Sequence, residues 1–264
     1  MTIPAGQQAE GPSIARVYDY LLGGSHNFPA DQEAAGEFLA RWPDARETMR
    51  ANRAFLGRAV RYLAGQAGIR QFLDIGSGIP TMGNVHEIAQ QAAPDARVAY
   101  VDNEEVAVLH SRAILARNQN ATAIQADLRR PAEILGSPPL RDLLDLSRPV
   151  ALLLVAVLHF FPDSDEPAAL VAELREALAP GSFVVISHGT TDGQPPRVTE
   201  AMSHYNQTTA PFQPRSHAEV MAFFGSLEMI GPGLVPVPQW RPDPQETGDP
   251  PRRIAAYGGV GRRQ

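Results

Sequence analysis

The sequence predicts an α/β protein whose mostly parallel, doubly wound sheet follows a helical N-terminal cap. Three observations predict it. From Gln71 onward, short apolar segments alternate with segments of helical periodicity. The apolar segments, such as Val150–Val157, are continuous, as strands buried on both faces are. The first of them, Gln71–Ile75, runs into Gly76-Ser77-Gly78, where two glycines permit positive φ and close approach of a ligand to the main chain. Residues 1–70 are expected to form the cap, as part of the same domain, and residues 71–264 the sheet and its helices.

Met1–Gly11 reads as a polar tail. Pro12 and Ser13 start a helix with Ile14, Val17, Leu21 and Leu22 at helical spacing, which Gly23-Gly24 stops. Ser25–Pro29 is a loop, Ala30–Trp42 a helix ended by Pro43, and Ala45–Ala67 another with Phe55, Ala59, Tyr62 and Leu63 as its apolar stripe. This segment suits a plain helical cap and a lid over a ligand equally, since Tyr18, Tyr20, the paired glycines and Asn27 cluster at its loop. Strands are expected at Gln71–Ile75, Arg97–Val101, Ala121–Gln125, Val150–Val157 and Phe183–Ser187. Helices are expected at Met82–Ala92, Val106–Gln119, Leu140–Leu146 and Pro167–Ala179, and Pro180-Gly181 forms a turn. After His188 the pattern gives a loop to Pro196, then helices at Thr199–Asn206 and His217–Leu227, the latter capped by Ser216. Met229–Val237 and Arg253–Val260 read as strands joined by the proline-rich stretch Pro236–Pro251, and a direct connection makes that pair antiparallel. No internal repeat and no second domain stand out.

Composition narrows the function. The 264 residues fit one large α/β domain, and 44% hydrophobic residues suffice for a buried core. A net charge of −6 disfavours a nucleic-acid partner. The absence of cysteine excludes disulfides, thiolate metal sites and cysteine nucleophiles. The polar N-terminus has no leader pattern and no run approaches the ~20 apolar residues of a membrane span, so a soluble cytoplasmic protein without a membrane partner is expected. No histidine–carboxylate spacing suits a metal.

Three acids fall at matching places. Asp74 lies at the end of the first strand, Asp102 after the second and Asp127 after the third. Those strand ends share one rim of a doubly wound sheet, where ligands bind. An acid after the second strand suits a ribose diol, and one after the third suits an adenine amino group. With the backbone donors of Gly76, Ser77 and Gly78, the set describes an adenosine-containing ligand. A dinucleotide fingerprint requires a third glycine where Thr81 stands, and no phosphate-binding Gly-Lys-Ser/Thr follows the turn.

The Asp-x-Gly-x-Gly turn with these acids resembles the class I S-adenosylmethionine-dependent methyltransferases. Longer stretches sharpen this: Pro12–Gly24, Asn52-Arg53-Ala54-Phe55-Leu56, Phe72–Thr81 and Tyr100-Val101-Asp102-Asn103. They resemble an actinobacterial S-adenosyl methyltransferase family formerly classed as a domain of unknown function. The resemblance runs from Pro12 to about Arg262. It implies a Rossmann-like class I methyltransferase fold, a seven-stranded mostly parallel sheet whose last strand is antiparallel, and S-adenosyl-L-methionine as cofactor. It does not imply the acceptor. Pro80-Thr81 in place of the usual third glycine stiffens the turn and makes cofactor contacts less transferable.

Candidate residues follow, each with a competing reading. Asp102 holds the ribose or caps the helix from Glu104. Asp127, with Leu128 beside it, meets the adenine or caps the loop before Pro131. Asp74 shapes the site or only caps the glycine turn. Asn103 lies beside the adenine or on the surface. Arg53, ahead of Arg16 and Arg50, meets the methionine carboxylate, and surface charge is the alternative for each. His159, past the fourth strand, is a general base titrating near neutrality or a structural hydrogen-bonder. Tyr18, Asn27 and Phe28 are expected in the lid, and His188, His204 and Tyr205 in the acceptor pocket. His86, His110 and His217 fall on helices and are expected to face solvent, and the prolines near Trp240 to form part of the rim. The activity expected is methyl transfer to a small or medium-sized molecule. The alternatives are a non-catalytic nucleoside-binding regulator and an NAD-dependent oxidoreductase.

Overall fold

The structure is a computed structural model. It describes residues 11–79, 83–208, 212–243 and 254–264, with the side chains of 203–208 excepted. The expected tail before Gly11, Pro80-Thr81 and most of the proline-rich stretch lie outside the described residues.

The chain opens with α1 (Ile14–Leu22), whose N-cap Ser13 accepts a hydrogen bond from the Arg16 amide. Gly23, at φ 85°, ends it in the left-handed conformation. α2 (Pro29–Arg41) and α3 (Ala45–Gly65) follow. Asp31, fully buried, staples the starts of α1 and α2: it accepts from Ser13 N at 2.9 Å, Phe28 N at 2.8 Å and Arg16 Nε at 2.7 Å.

Then come β1 (Gln71–Ile75), α4 (Val85–Ala92), β2 (Arg97–Asp102), α5 (Glu105–Leu115) and β3 (Ala121–Gln125). α6 (Pro131–Gly136) and α7 (Pro138–Leu143) lead to β4 (Ala151–Val155), and α8 (Pro167–Glu176) leads to β5 (Phe183–Gly189). After α9 (Pro196–Thr208) and α10 (His217–Ala222), three antiparallel contacts close the sheet: β6 (Glu228–Met229) and β7 (Val235–Pro236) each pair with β8 (Ala256–Arg262), and β8 pairs with β5. The sheet order is β3-β2-β1-β4-β5-β8-β6, with β7 also on β8. β1 to β5 are parallel. The chain winds outward from β1 to β3, returns to β4 beside β1, and winds the other way. The switch point between β1 and β4 opens the ligand crevice of such sheets.

Burial explains the continuous apolar strands. Phe72, Val98, Leu153 and Val185 point to one side, where α3, α4 and α5 supply Phe55, Ala89 and Val108. Their neighbours Leu73, Ala99, Leu152 and Ile186 point to the other, against Ile134, Leu140, Val171 and Phe224. A separate apolar cluster joins α1, α2 and α9 through Val17, Leu21, Phe38, Trp42, Ala201 and Met202. The cap is therefore shared: α9, from the other end of the chain, packs with the N-terminal helices.

Several expectations change, beginning with the strand count, since the sheet has eight strands among the described residues and not seven, three of them the antiparallel β6, β7 and β8. The helix expected at Leu140–Leu146 is α7, which starts earlier, at Pro138, and ends at Leu143, and a second short helix begun by proline, α6, precedes it where none was expected. Met229–Val237 is not one strand, because Gly231-Pro232-Gly233 turns the chain and Pro232 has no amide to donate. His86 does not face solvent: it is 8% exposed, and its Nδ1 lies 2.7 Å from the buried Tyr100 hydroxyl. His110 is half-buried against the ring of His26. Trp240, beside the prolines expected at the rim, is itself in the core. It is fully buried against Phe55 and Tyr62, and Arg58 donates to its carbonyl at 2.9 Å. No helix among the described residues is long and apolar enough to cross a membrane.

Candidate active site

The turn after β1 is built by pairing and crowding. Gly76 N and Ser77 N both donate to Val101 O, at 2.8 and 3.3 Å, which ties the turn to β2. Gly76 takes φ 72°, and a side chain there would run into Val157 from the segment after β4. Only glycine meets both demands. The turn thereby delivers Gly78 N to Asp102 Oδ2 at 2.7 Å, while Asp102 Oδ1 accepts Glu104 N at 2.9 Å. The capping reading of Asp102 holds, and the same carboxylate also pins the glycine turn. Each carboxylate oxygen retains a second lone pair.

Above this turn lies a cavity of about 230 Å³, roofed by α1. Asp74, Gly76, Ser77, Gly78, Asp102 and Asn103 line it, as do Asp127, Leu128 and Arg53. All nine positions singled out for a cofactor therefore meet in one space. Asp74 is buried, and this pushes its carboxyl up to about 7; the Arg53 charge opposes the rise and Asp102 adds to it. Burial likewise raises Asp102, against the pull of the Glu104 and Gly78 amides. Asp127 is partly exposed and accepts from Arg129 N at 2.9 Å.

A second, smaller cavity of about 70 Å³ adjoins the first. Tyr18, Asn52, Ala156 and Phe160 line both. His159 and His188 line the smaller one. His159 is fully buried, and burial with the nearby His188 and Arg215 holds it well below the usual imidazole range, not near neutrality as expected. At the junction Ala156 adopts φ 57°, a left-handed conformation uncommon for alanine, and its amide bonds Ser187 O at 3.2 Å and Ser187 Oγ at 3.0 Å. Strain of this kind gathers at functional sites.

Several candidates lie elsewhere. Asn27 lines neither cavity; its amide spans Asp19 Oδ2 at 2.8 Å and Gly24 O at 2.9 Å, bracing the turn after α1. Phe28 packs under the Arg16 guanidinium. Arg16 itself is buried in its ion pair with Asp31, and Arg50 is exposed, so neither lines a cavity. His204 and Tyr205 fall on α9, but their side chains lie outside the described residues.

Sequence reasoning missed three residues. Asp19 on α1 lines the larger cavity with a fully buried carboxylate. Its Oδ2 accepts His26 N and Asn27 Nδ2, both at 2.8 Å, while Oδ1 lies 3.9 Å from His26 Nδ1 and accepts no hydrogen bond among the described residues. Asn52 bridges α3 to the sheet: Oδ1 accepts Ser187 Oγ at 2.5 Å and Nδ2 donates to the Tyr18 hydroxyl at 3.2 Å. The available signal was phase: Asn52 lies three residues before Phe55 and Asp19 three before Leu22, both on apolar stripes. Ser187, inside a buried strand, carries no such signal. Among the described residues no cluster of His, Asp or Glu could hold a metal ion.

A doubly wound sheet with a glycine turn at its switch point and acids at three successive strand ends defines a Rossmann-like nucleoside-binding protein. Comparison with a solved N-methyltransferase, NodS from Bradyrhizobium japonicum in complex with S-adenosyl-L-homocysteine, narrows the fold to that of the S-adenosylmethionine-dependent methyltransferases. It shares 12% identity over 94% of this chain and 98% of that one, with a TM-score of 0.51. The chain belongs to the S-adenosyl methyltransferase family, whose model it matches over residues 3–264. A candidate methyltransferase from Thermobifida fusca is 40% identical over 99% of this chain and 98% of its own, with a TM-score of 0.93. A DUF574 family protein from Streptomyces avermitilis is 44% identical over 97% and 98%, with a TM-score of 0.92. No curated protein of known function matches the chain. It is thus an S-adenosylmethionine-dependent methyltransferase, and the dinucleotide-dependent alternative falls away.

Proposed function

We propose that the larger cavity is the cofactor site and that the methyl acceptor is a small or medium-sized molecule. The observation that carries this is the convergence of Asp74, Asp102, Asp127 and the Gly76–Gly78 turn on one cavity under α1. Asp19 Oδ1 supports it, since a buried carboxylate oxygen that accepts no hydrogen bond among the described residues, with only His26 Nδ1 at 3.9 Å, has room for a donor that a bound ligand supplies. Asp102 takes the ribose hydroxyls on its remaining lone pairs. Asp127 accepts from the adenine amino group, with Asn103 and Leu128 beside the ring. Arg53 meets the methionine carboxylate, and Asp19 the ammonium. Gly76, Ser77 and Gly78 give close backbone approach.

The bound cofactor supplies an electrophilic methyl group on a cationic sulfur. The protein's task is to orient an acceptor against it and exclude water. The N-terminal helices α1 to α3 act here as a lid, joined by α9. Tyr18 stands at the passage between the cavities, and His159 and His188 shape the acceptor side. His159, held neutral, positions rather than takes up a proton. The acidic net charge supports a small-molecule acceptor over nucleic acid. An actinobacterial source fits the two relatives above, and the cytoplasm, where the cofactor is made, fits as the location; cell fractionation tests the latter.

The test is Asp102→Ala with S-adenosylhomocysteine titrated by calorimetry. Two charge-assisted hydrogen bonds worth roughly 1.5 kcal/mol each predict a loss of affinity of about 150-fold. Unchanged affinity in a folded variant refutes the ribose role.

A further inference from the structure

The two cavities share walls but differ in chemistry. Asp19, Arg53, Asp74, Asp102 and Asp127 line the larger one. No Asp, Glu, Lys or Arg is among the described residues that line the smaller. Its apolar walls combine aromatic and thioether groups, Phe38, Trp42, Phe160, Phe212, Met49 and Met202, with the aliphatic Val17 and Leu21.

The polar groups on those walls are nearly all engaged. Ser187 Oγ donates to Asn52 and accepts from Ala156 N, and Asn52 Nδ2 donates to Tyr18. His188 Nδ1 lies 2.8 Å from Gly189 O, which can only accept, so its proton is on Nδ1 and Nε2 accepts from Arg215 at 3.1 Å. Thr48 Oγ1 accepts from Ala255 N at 3.5 Å. Thr48, whose contact is as long as the one Tyr18 makes to Met49 O, keeps some capacity, and so do two further groups. The Tyr18 hydroxyl, at the passage, reaches Met49 O only at 3.5 Å. His159 Nδ1 accepts from Gly189 N at 3.3 Å, which leaves the ring proton on Nε2 with no protein acceptor among the described residues. The same burial that keeps the ring neutral makes it a donor without charge.

We propose that the smaller cavity is the acceptor site and that the acceptor is an uncharged, flat, aromatic molecule carrying a hydrogen-bonding group for His159 Nε2. A carboxylate or phosphate would shed its water there and meet no cation, a cost of several kcal/mol. A flat apolar body instead meets the edges and faces of the aromatic walls. Shared lining at Tyr18, Asn52, Ala156 and Phe160 joins this cavity to the larger one. The assignment to an acceptor rests on reading the larger cavity as the cofactor site.

The test uses the full chain and probes of one shape: para-propylphenol, propylbenzene and para-propylbenzoate, titrated by calorimetry with and without S-adenosylhomocysteine. The phenol should bind tightest, propylbenzene about 2–10-fold more weakly, and the benzoate without saturation. In His159→Phe the phenol should lose its advantage over propylbenzene, whereas a purely structural role for His159 would weaken both alike. Met202→Trp, which fills the cavity from α9, should abolish binding of both neutral probes and spare S-adenosylhomocysteine. If His159→Phe does not fold, Met202→Trp decides. Benzoate binding as tight as the phenol's, unchanged phenol affinity in folded Met202→Trp, or no neutral probe bound by a chain that binds S-adenosylhomocysteine overturns the inference. Neutral probes bound by a chain that does not bind S-adenosylhomocysteine would instead overturn the cofactor reading.

Discussion

Asp74 offers a measurement that needs no ligand. Its carboxyl is buried at the end of β1 and moves from 3.8 to about 7, mainly because burial disfavours the charged form. The folded chain therefore binds a proton that the unfolded chain releases. With the folded value raised, stability falls as pH rises from about 4 to about 7, by roughly 4 kcal/mol in total at 1.36 kcal/mol per pK difference of one. Between about pH 5 and about pH 8, the share of that loss is about 2–3 kcal/mol. Asp74→Asn keeps the shape and removes the titration. Urea unfolding of both proteins at both pH values gives the comparison. His159 and His188 are depressed, and their cost appears as pH falls below their ordinary range, but that slope is common to both proteins and cancels in the difference. The variant should lose about 2–3 kcal/mol less than the wild type on going to the higher pH. If the two pH dependences agree within about 0.5 kcal/mol, the buried protonated Asp74 is refuted. Functionally, the proton would be released when the ammonium and sulfonium of a cofactor arrive, which makes binding near neutrality buffer-dependent in calorimetry.

Two further predictions concern the scaffold. Gly76→Ala places a methyl group at positive φ against Val157, and should cost about 2–4 kcal/mol in urea unfolding while weakening S-adenosylhomocysteine; a cost under about 0.5 kcal/mol would show that the turn relaxes freely. Asp31→Ala strands a buried Arg16 and unties α1 from α2, and should lower stability by about 3–5 kcal/mol, with limited proteolysis cutting first in the cap; an unchanged cap would show that the apolar cluster alone holds it.

Much of this molecule was legible because its signals are local. Leu152-Leu153-Leu154 is apolar at successive positions, and only a strand covered on both faces requires that. The glycine turn was legible because one short motif, Asp74–Gly78, holds its backbone geometry, and Asp102 because it follows an apolar strand at its end. The strand at Met229–Val237 was misread because its apolar content outweighed the Gly-Pro-Gly turn inside it. Asn27 was misread because a polar loop residue looks the same whether it faces a ligand or braces its own loop. Its partners, Asp19 and Gly24, are local, but their orientation is set by how α1 ends.

The sequence by itself determined the winding of the sheet, the adenosine-like character of its rim and the family. These follow from periodicity, turn chemistry and residue identity at strand ends. Tertiary structure alone decided which polar groups remain available. Asn52 and Ser187 are 135 residues apart and meet at 2.5 Å, and both line the smaller cavity, whose lining holds no charged residue among those described. The physical reason is that a side chain's hydrogen-bonding capacity is spent on whatever the packed chain brings beside it. The Gly76–Gly78 turn could be read in the sequence as a cradle, but what it faces was fixed by α1 closing over it from the start of the chain.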